Sequence, residues 1–176
     1  RHLPATRITV VEINRQVEII ARLHFRLPDD AQRLTVVVDD GAKYMDEGQE
    51  RFDCILVDVC DVDARAGSLD TAAFYRACRA RLSDDGLLAV NLLGRSRGFQ
   101  AGAARIAEAF DGRSLVFPSC DSGNAIAFAT GGQAVCVEAE DLRARAASLK
   151  AQTGLNLLPT VSRLLPKPVN IAVKGP

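Results

Sequence analysis

Ile8-Thr9-Val10-Val11-Glu12-Ile13 is a β-branched run that closes on an acid, and Asn14, a residue whose short side chain caps helix N-termini well, follows at once. This pattern predicts a strand followed by a helix from about Arg15 to Phe25. Within that helix Val17, Ile20, Ala21, His24 and Phe25 fall near one 3.6-residue stripe, with Arg15, Gln16, Arg22 and Arg26 mostly outside it. Leu34 to Val38 predicts a second strand, and Asp39-Asp40-Gly41 predicts a turn after it. Phe52 to Val59 is apolar over most of its length, the pattern of a strand covered on both faces.

Further along, Phe74, Cys78 and Leu82 set a helical spacing over Thr71 to Leu82, with Asp70 as its expected cap. Ser83-Asp84-Asp85-Gly86 reads as a turn into a strand from Leu87 to Leu93, followed by a helix from Gly98 to Phe110. Arg113 to Phe117 and Asn124 to Ala129 predict a closing pair of strands around the loop Pro118 to Gly123. A last helix, about Ala139 to Gln152, leads into a tail interrupted by Pro159, Pro166 and Pro168, which predicts an extended or loosely held arm. Strands alternating with helices of these lengths indicate an α/β, doubly wound sheet over residues 1–153, with a Pro-containing tail over 154–176.

Composition narrows the partners. Twenty-two Lys and Arg cancel 22 Asp and Glu, so the excess positive charge of a phosphate-tracking or membrane-surface binder is absent, and neither nucleic acid nor membrane is expected as a partner. The longest apolar stretches, Cys54 to Val59 and Gly86 to Leu93, fall far short of the ~20 residues that span a bilayer, and no basic-then-apolar leader opens the chain. A cytoplasmic location is expected. The five cysteines form no CxxC pair, and His2 and His24 lack ligand spacing to them; free, mostly buried thiols and no structural metal are therefore expected.

In doubly wound sheets ligands bind beyond the C-terminal ends of the strands, and the acids cluster there. Glu12 closes the first predicted strand, Asp39 and Asp40 follow the second, and Asp58, Asp61 and Asp63 follow the third. Any one of them read alone is most simply a solvated loop carboxylate. Three successive strands each ending in an acid on one edge favour a binding site. A carboxylate in the place of Glu12 can accept both ribose hydroxyl hydrogens, and Asp40 can accept from an exocyclic adenine amine while Gly41 lets the backbone pass close to the ring. The spacing Asp58-x-x-Asp61-x-Asp63 concentrates negative charge for a cationic substrate or a sulfonium. Magnesium is the competing ligand, disfavoured because no phosphate-cradling glycine loop accompanies the cluster.

Four blocks in this order, ITVVEIN at Ile8 to Asn14, VVVDDGA at Val36 to Ala42, RFDCILVDVCD at Arg51 to Asp61 and LSDDGLLAVNL at Leu82 to Leu92, resemble the spermidine synthase family of polyamine aminopropyltransferases. The likeness covers about Thr6 to Thr130, and each block alone also resembles the wider class of S-adenosylmethionine-dependent methyltransferases. The resemblance implies a Rossmann-like sheet of the methyltransferase type and decarboxylated S-adenosylmethionine as aminopropyl donor. A polyamine such as putrescine would be the acceptor, and the assembly a homodimer. It further implies that Glu12 and Ile13 lie on the donor's ribose, that Asp40 and Gly41 lie on its adenine, that Asp58 is the catalytic base, and that Asp61 holds the amine. No metal is expected.

The sequence departs from that family in several places. The run after Asp61 lacks the family's Pro and Gly-Pro-Ala turn; Cys120 stands where a Tyr is common, and Asn91 where a Gln is common. The family's first strand and its Gly-rich turn have no counterpart after Arg1, so the chain is read as part of a longer protein. The missing strand would lie at the centre of the sheet, between Ile8 to Ile13 and Phe52 to Val59. Two other functions stay open at this point, a methyltransferase using intact S-adenosylmethionine and a catalytically silent scaffold.

Overall fold

The computed structural model describes residues 5–58, 67–93, 98–117, 124–133, 135–164 and 169–171. Within them the chain divides into two compact units, Arg1–Gly48 and Gln49–Pro176.

The first unit is a β-α-β-α run. Strand β1 (Ile8–Glu12) leads through α1 (Arg15–His24) to β2 (Leu34–Val38), which lies parallel to β1 in the register Ile8 to Leu34 through Glu12 to Val38. The Asn14 side chain caps α1 as its residue type predicts, accepting from the Gln16 N–H at 2.9 Å. The triplet Asp39-Asp40-Gly41, read as a turn, is instead the start of α2 (Gly41–Glu47). Asp40 is its N-cap, with Oδ1 accepting from the N–H groups of Ala42 at 2.7 Å and Lys43 at 3.2 Å. Turn formers and helix caps are the same residue types, because both roles use a short carboxylate to satisfy nearby backbone donors.

The second unit contains β3 (Phe52–Asp58), a 3-10 turn at Gly67–Leu69, α3 (Ala72–Ala80), β4 (Leu82–Leu93), α4 (Phe99–Ala109), β5 (Ser114–Val116) and β6 (Asn124–Thr130). They are followed by β7 (Val135–Val137), α5 (Ala139–Thr153), α6 (Leu158–Leu164) and β8 (Val169–Ile171). Four strands form a mixed sheet in the order β3-β4-β6-β5, with β3 and β4 parallel and β6 antiparallel to both its neighbours. The α/β expectation therefore holds. The tail is not an extended arm: α6 occupies its first half, and β8 pairs antiparallel with β7. Gly154, in the left-handed region at φ 78°, ends α5 as glycines just past helix ends commonly do.

The core of this unit lies between the sheet and helices α3 and α4. Leu88, Val90 and Leu92 of β4 alternate inward beside Ala125, Ala127 and Ala129 of β6 and meet Phe74, Tyr75 and Cys78 of α3 and Ile106 of α4. Burying each large apolar side chain contributes about 1.5–3 kcal/mol. Burial pushes the Cys78 thiol up to about 12, so it remains a neutral core group. On β3 only Val57 is buried, whereas Leu56 is 76% exposed and Cys54 is exposed as well. The expectation of a strand covered on both faces, and of a buried Cys54, is corrected here: among the described residues Val57 is the one buried side chain of β3.

Two further local expectations change. Thr71 rather than Asp70 caps α3, with Oγ1 accepting from the Phe74 N–H at 3.1 Å. Asp70 instead receives the Tyr75 hydroxyl at 3.0 Å and a two-pronged hydrogen bond from Arg105, tying α3 to α4. The turn at residues 83–86 survives as a register shift inside β4, since Phe52 pairs with Leu82 and Cys54 with Leu87.

Candidate functional site

Among the described residues, the candidate acids Glu12, Asp40 and Asp58 stand at the C-terminal ends of strands β1, β2 and β3. Glu12 ends β1 with Oε1 accepting from the Asn14 N–H at 2.8 Å, so the carboxylate turns back over the entrance to α1. Ile13 follows it, 70% exposed. In the same unit Asp40 and Gly41 stand where β2 gives way to α2, with one Asp40 oxygen committed to the cap. Asp39 accepts the Asp40 N–H at 2.9 Å and faces Lys43 Nζ at 3.3 Å; that backbone donor and then the ammonium hold its carboxyl below the usual range.

The second unit supplies Asp58. The N-terminal end of β3 is fixed first: the Phe52 N–H donates to the Arg81 carbonyl at 2.7 Å, Arg51 grips the Leu82 carbonyl, and the buried Arg81 stacks 5.0 Å from the Phe52 ring centroid. From there the β3–β4 ladder carries the register to Asp58, which sits opposite Asn91. Asn91 Nδ2 donates to Asp58 Oδ1 at 2.9 Å. Asn91 Oδ1 is buried and has no hydrogen-bond partner among the described residues, a state that costs about 1–3 kcal/mol for a neutral acceptor. Both side chains project from the sheet face opposite the α3/α4 core, the face that also carries Leu56, Ala89 and Ile126.

The structure thus brings Glu12, Ile13, Asp40 and Gly41 into one unit and Asp58 into the other. Asp61, Asp63, Cys60 and the loop with Cys120 lie outside the described residues. Asn91 is the residue that sequence reasoning registered only as a family departure. Its role needs the strand register, which places residues 33 positions apart side by side.

A cleft of about 570 Å³ opens at the other end of the sheet, where Arg51, Arg76 and Arg79 line it with Asp84, Glu108 and Asp111. Each arginine is ion-paired with one of those acids, at 3.0, 3.2 and 2.6 Å respectively. Arg79 holds the Asp111 carboxyl below its usual range. None of the candidate residues lies in this cleft.

Residues 1–91 match the family model described as "Spermine/spermidine synthase domain". The polyamine aminopropyltransferase of Neisseria meningitidis serogroup A is 34% identical over 155 residues, covering 88% of this chain and 59% of that protein. The chain therefore spans about three fifths of the length of that curated relative. A solved spermidine synthase in complex with the transition-state analogue AdoDATO is similar at 26% identity and a TM-score of 0.61, over 72% of this chain and 47% of the other. Human methyltransferase-like protein 13 in complex with SAH shares the fold at 22% identity and a TM-score of 0.65, over 73% and 63%.

Proposed function

With more than half of its length matched to the family model, the chain belongs to the spermine/spermidine synthase domain family, and from that premise we propose that it carries the base and the adenosine-binding acids of a polyamine aminopropyltransferase. The observation that bears most weight is Asp58, held at the C-terminal end of β3 by Asn91 and lying inside the matched residues. The donor is decarboxylated S-adenosylmethionine and the acceptor a polyamine such as putrescine. Both are cationic, which suits recognition by carboxylates.

The chemistry follows from the charge states. A polyamine arrives as an ammonium with no lone pair to attack. Asp58 takes one proton from it; the freed nitrogen attacks the propyl carbon bound to the sulfonium sulfur, and the electrons of the breaking carbon–sulfur bond pass to sulfur. The products are the polyamine extended by an aminopropyl group and neutral methylthioadenosine, with the proton left on Asp58. Glu12 commits Oε1 to Asn14 and offers Oε2 to the ribose, and Asp40 commits Oδ1 to the α2 cap and offers Oδ2 to the adenine amine. Asp61 is proposed to hold the amine, and a cytoplasmic homodimer is proposed as the working form.

Asp58→Asn keeps the shape and the hydrogen-bonding reach of the side chain while removing the base. Aminopropyl transfer to putrescine by the full-length protein should fall by roughly 10²- to 10⁴-fold, the usual contribution of a positioned acid or base, with donor binding nearly unchanged. Equal rates for the two proteins would remove Asp58 from the mechanism. Methyl transfer from intact S-adenosylmethionine, without aminopropyl transfer, would replace the assignment with a methyltransferase.

A further inference from the structure

Asn91 interrupts an apolar surface. Along β4 its same-face neighbour is Ala89, and across the ladder it faces Ile126 on one side and Asp58 on the other. An apolar side chain would suit Ala89 and Ile126 and would leave no orphaned atom. The amide instead spends its donor on Asp58 and keeps Oδ1 buried without a partner among the described residues. The reversed amide, with Oδ1 toward Asp58, would set a carbonyl oxygen against a carboxylate. The charge on Asp58 therefore fixes which way the amide points.

Among the described residues Asn91 is the one hydrogen-bond partner of Asp58. Asp58 is the last residue of β3, paired in the ladder with Asn91. A carboxylate in that place, exposed at the end of β3, has rotamer freedom unless a neighbour removes it. We infer that Asn91 is a positioning residue for aminopropyl transfer: it clamps Asp58 Oδ1 so that Oδ2 stands as the proton acceptor for the attacking amine. A neutral donor suits this role, because it restrains the carboxylate without placing a second cation beside a cationic substrate. The inference rests on Asp58 being the base. It adds that the strand pairing supplies the base's orientation.

The test compares wild type, Asn91→Leu, Asn91→Gln, Asp58→Asn and the double variant Asp58→Asn with Asn91→Leu, all in the full-length protein. The readouts are kcat and KM for transfer to putrescine, with melting temperatures. Asn91→Leu should lower kcat by roughly 10- to 100-fold, the scale of an ångström-level misplacement, with KM for the donor changed by less than about threefold. Its melting temperature should stay close to that of wild type, since Leu suits the apolar neighbours Ala89 and Ile126. Asn91→Gln should restore part of the loss, because it returns an amide donor. The double variant should be no slower than Asp58→Asn alone, since a residue that acts only through Asp58 has nothing further to lose.

An unchanged kcat in Asn91→Leu, a loss that multiplies with that of Asp58→Asn, or a loss that tracks a fall in melting temperature would each overturn the inference. If Asp58→Asn is slow while Asn91→Leu matches wild type, the base assignment stands and the role of Asn91 fails alone. If Asp58→Asn turns over like wild type, both fail together.

Discussion

At the scale of single residues, Glu12 and Asp40 each have a structural task that uses one carboxylate oxygen. Glu12 satisfies the Asn14 N–H, and Asp40 satisfies two N–H groups at the start of α2. These tasks hold the side chains still, so less conformational entropy is lost when a ligand arrives. Glu12→Gln separates this task from the proposed one, because the amide oxygen can still accept from Asn14 while the charge proposed to face the ribose is lost. Affinity for methylthioadenosine should fall by about 1.5–3 kcal/mol, the range for a hydrogen bond to a charged group, with the melting temperature of the ligand-free protein unchanged. Titration calorimetry showing equal affinities would take Glu12 out of the adenosine site. Glu12, Asp40 and Asp58 were legible in the sequence because each follows a β-branched run whose direction is plain. Asn91 was not, because its meaning lies in cross-strand register rather than in any local pattern.

At the scale of elements, most strands and helices were readable, whereas α2 and the bulge in β4, where cap and turn signatures coincide, were not. Strands β1, β2, β3 and β6 and helices α1, α4 and α5 lie within a residue or two of the ranges expected from the sequence. Helix α2 has seven residues and opens on Gly41, so its start carries the same Asp-Gly signature as a turn. The β4 bulge shows the converse, a turn signature absorbed into a strand. There Gly86 meets a specific constraint: a Cβ on it would stand 2.9 Å from Leu82 Cβ and from the Ser83 backbone N and O. Neither backbone atom can move without disturbing the point where Leu82 pairs with Phe52. Gly86→Ala should therefore destabilise the second unit by about 1–3 kcal/mol, the cost of overpacking. A chemical-denaturation midpoint equal to that of wild type would show that the bulge relaxes freely. Because the ladder from Leu87 onward carries Asp58 into place, a loss of transfer activity should accompany the loss of stability.

At the scale of the whole molecule, the two units differ in how much apolar surface they close off. The second unit buries Phe74, Tyr75, Leu88, Ile106 and Phe110 between sheet and helices. The first buries Met45, while Leu23 and Phe25 are 71% and 77% exposed and no residue of α1 is buried. A two-stranded parallel sheet with open faces is a weak arrangement, since parallel ladders are normally covered on both sides. In the structure β1 and β3 belong to separate sheets, and among the described residues each has a ladder on one side only. What the sequence could not give was the consequence for local stability, because that depends on which surfaces are actually covered. In this 176-residue chain, backbone amides of β1 and β2 should exchange with solvent at least about 100-fold faster than those of β4 and β6. Two large side chains left unburied already remove more than the roughly 2.8 kcal/mol that such a ratio requires. Hydrogen-exchange mass spectrometry resolves the two regions as separate peptides. Equal protection in both would mean that the apolar surface of the first unit is covered in solution, and that its strands are held as firmly as the core of the second.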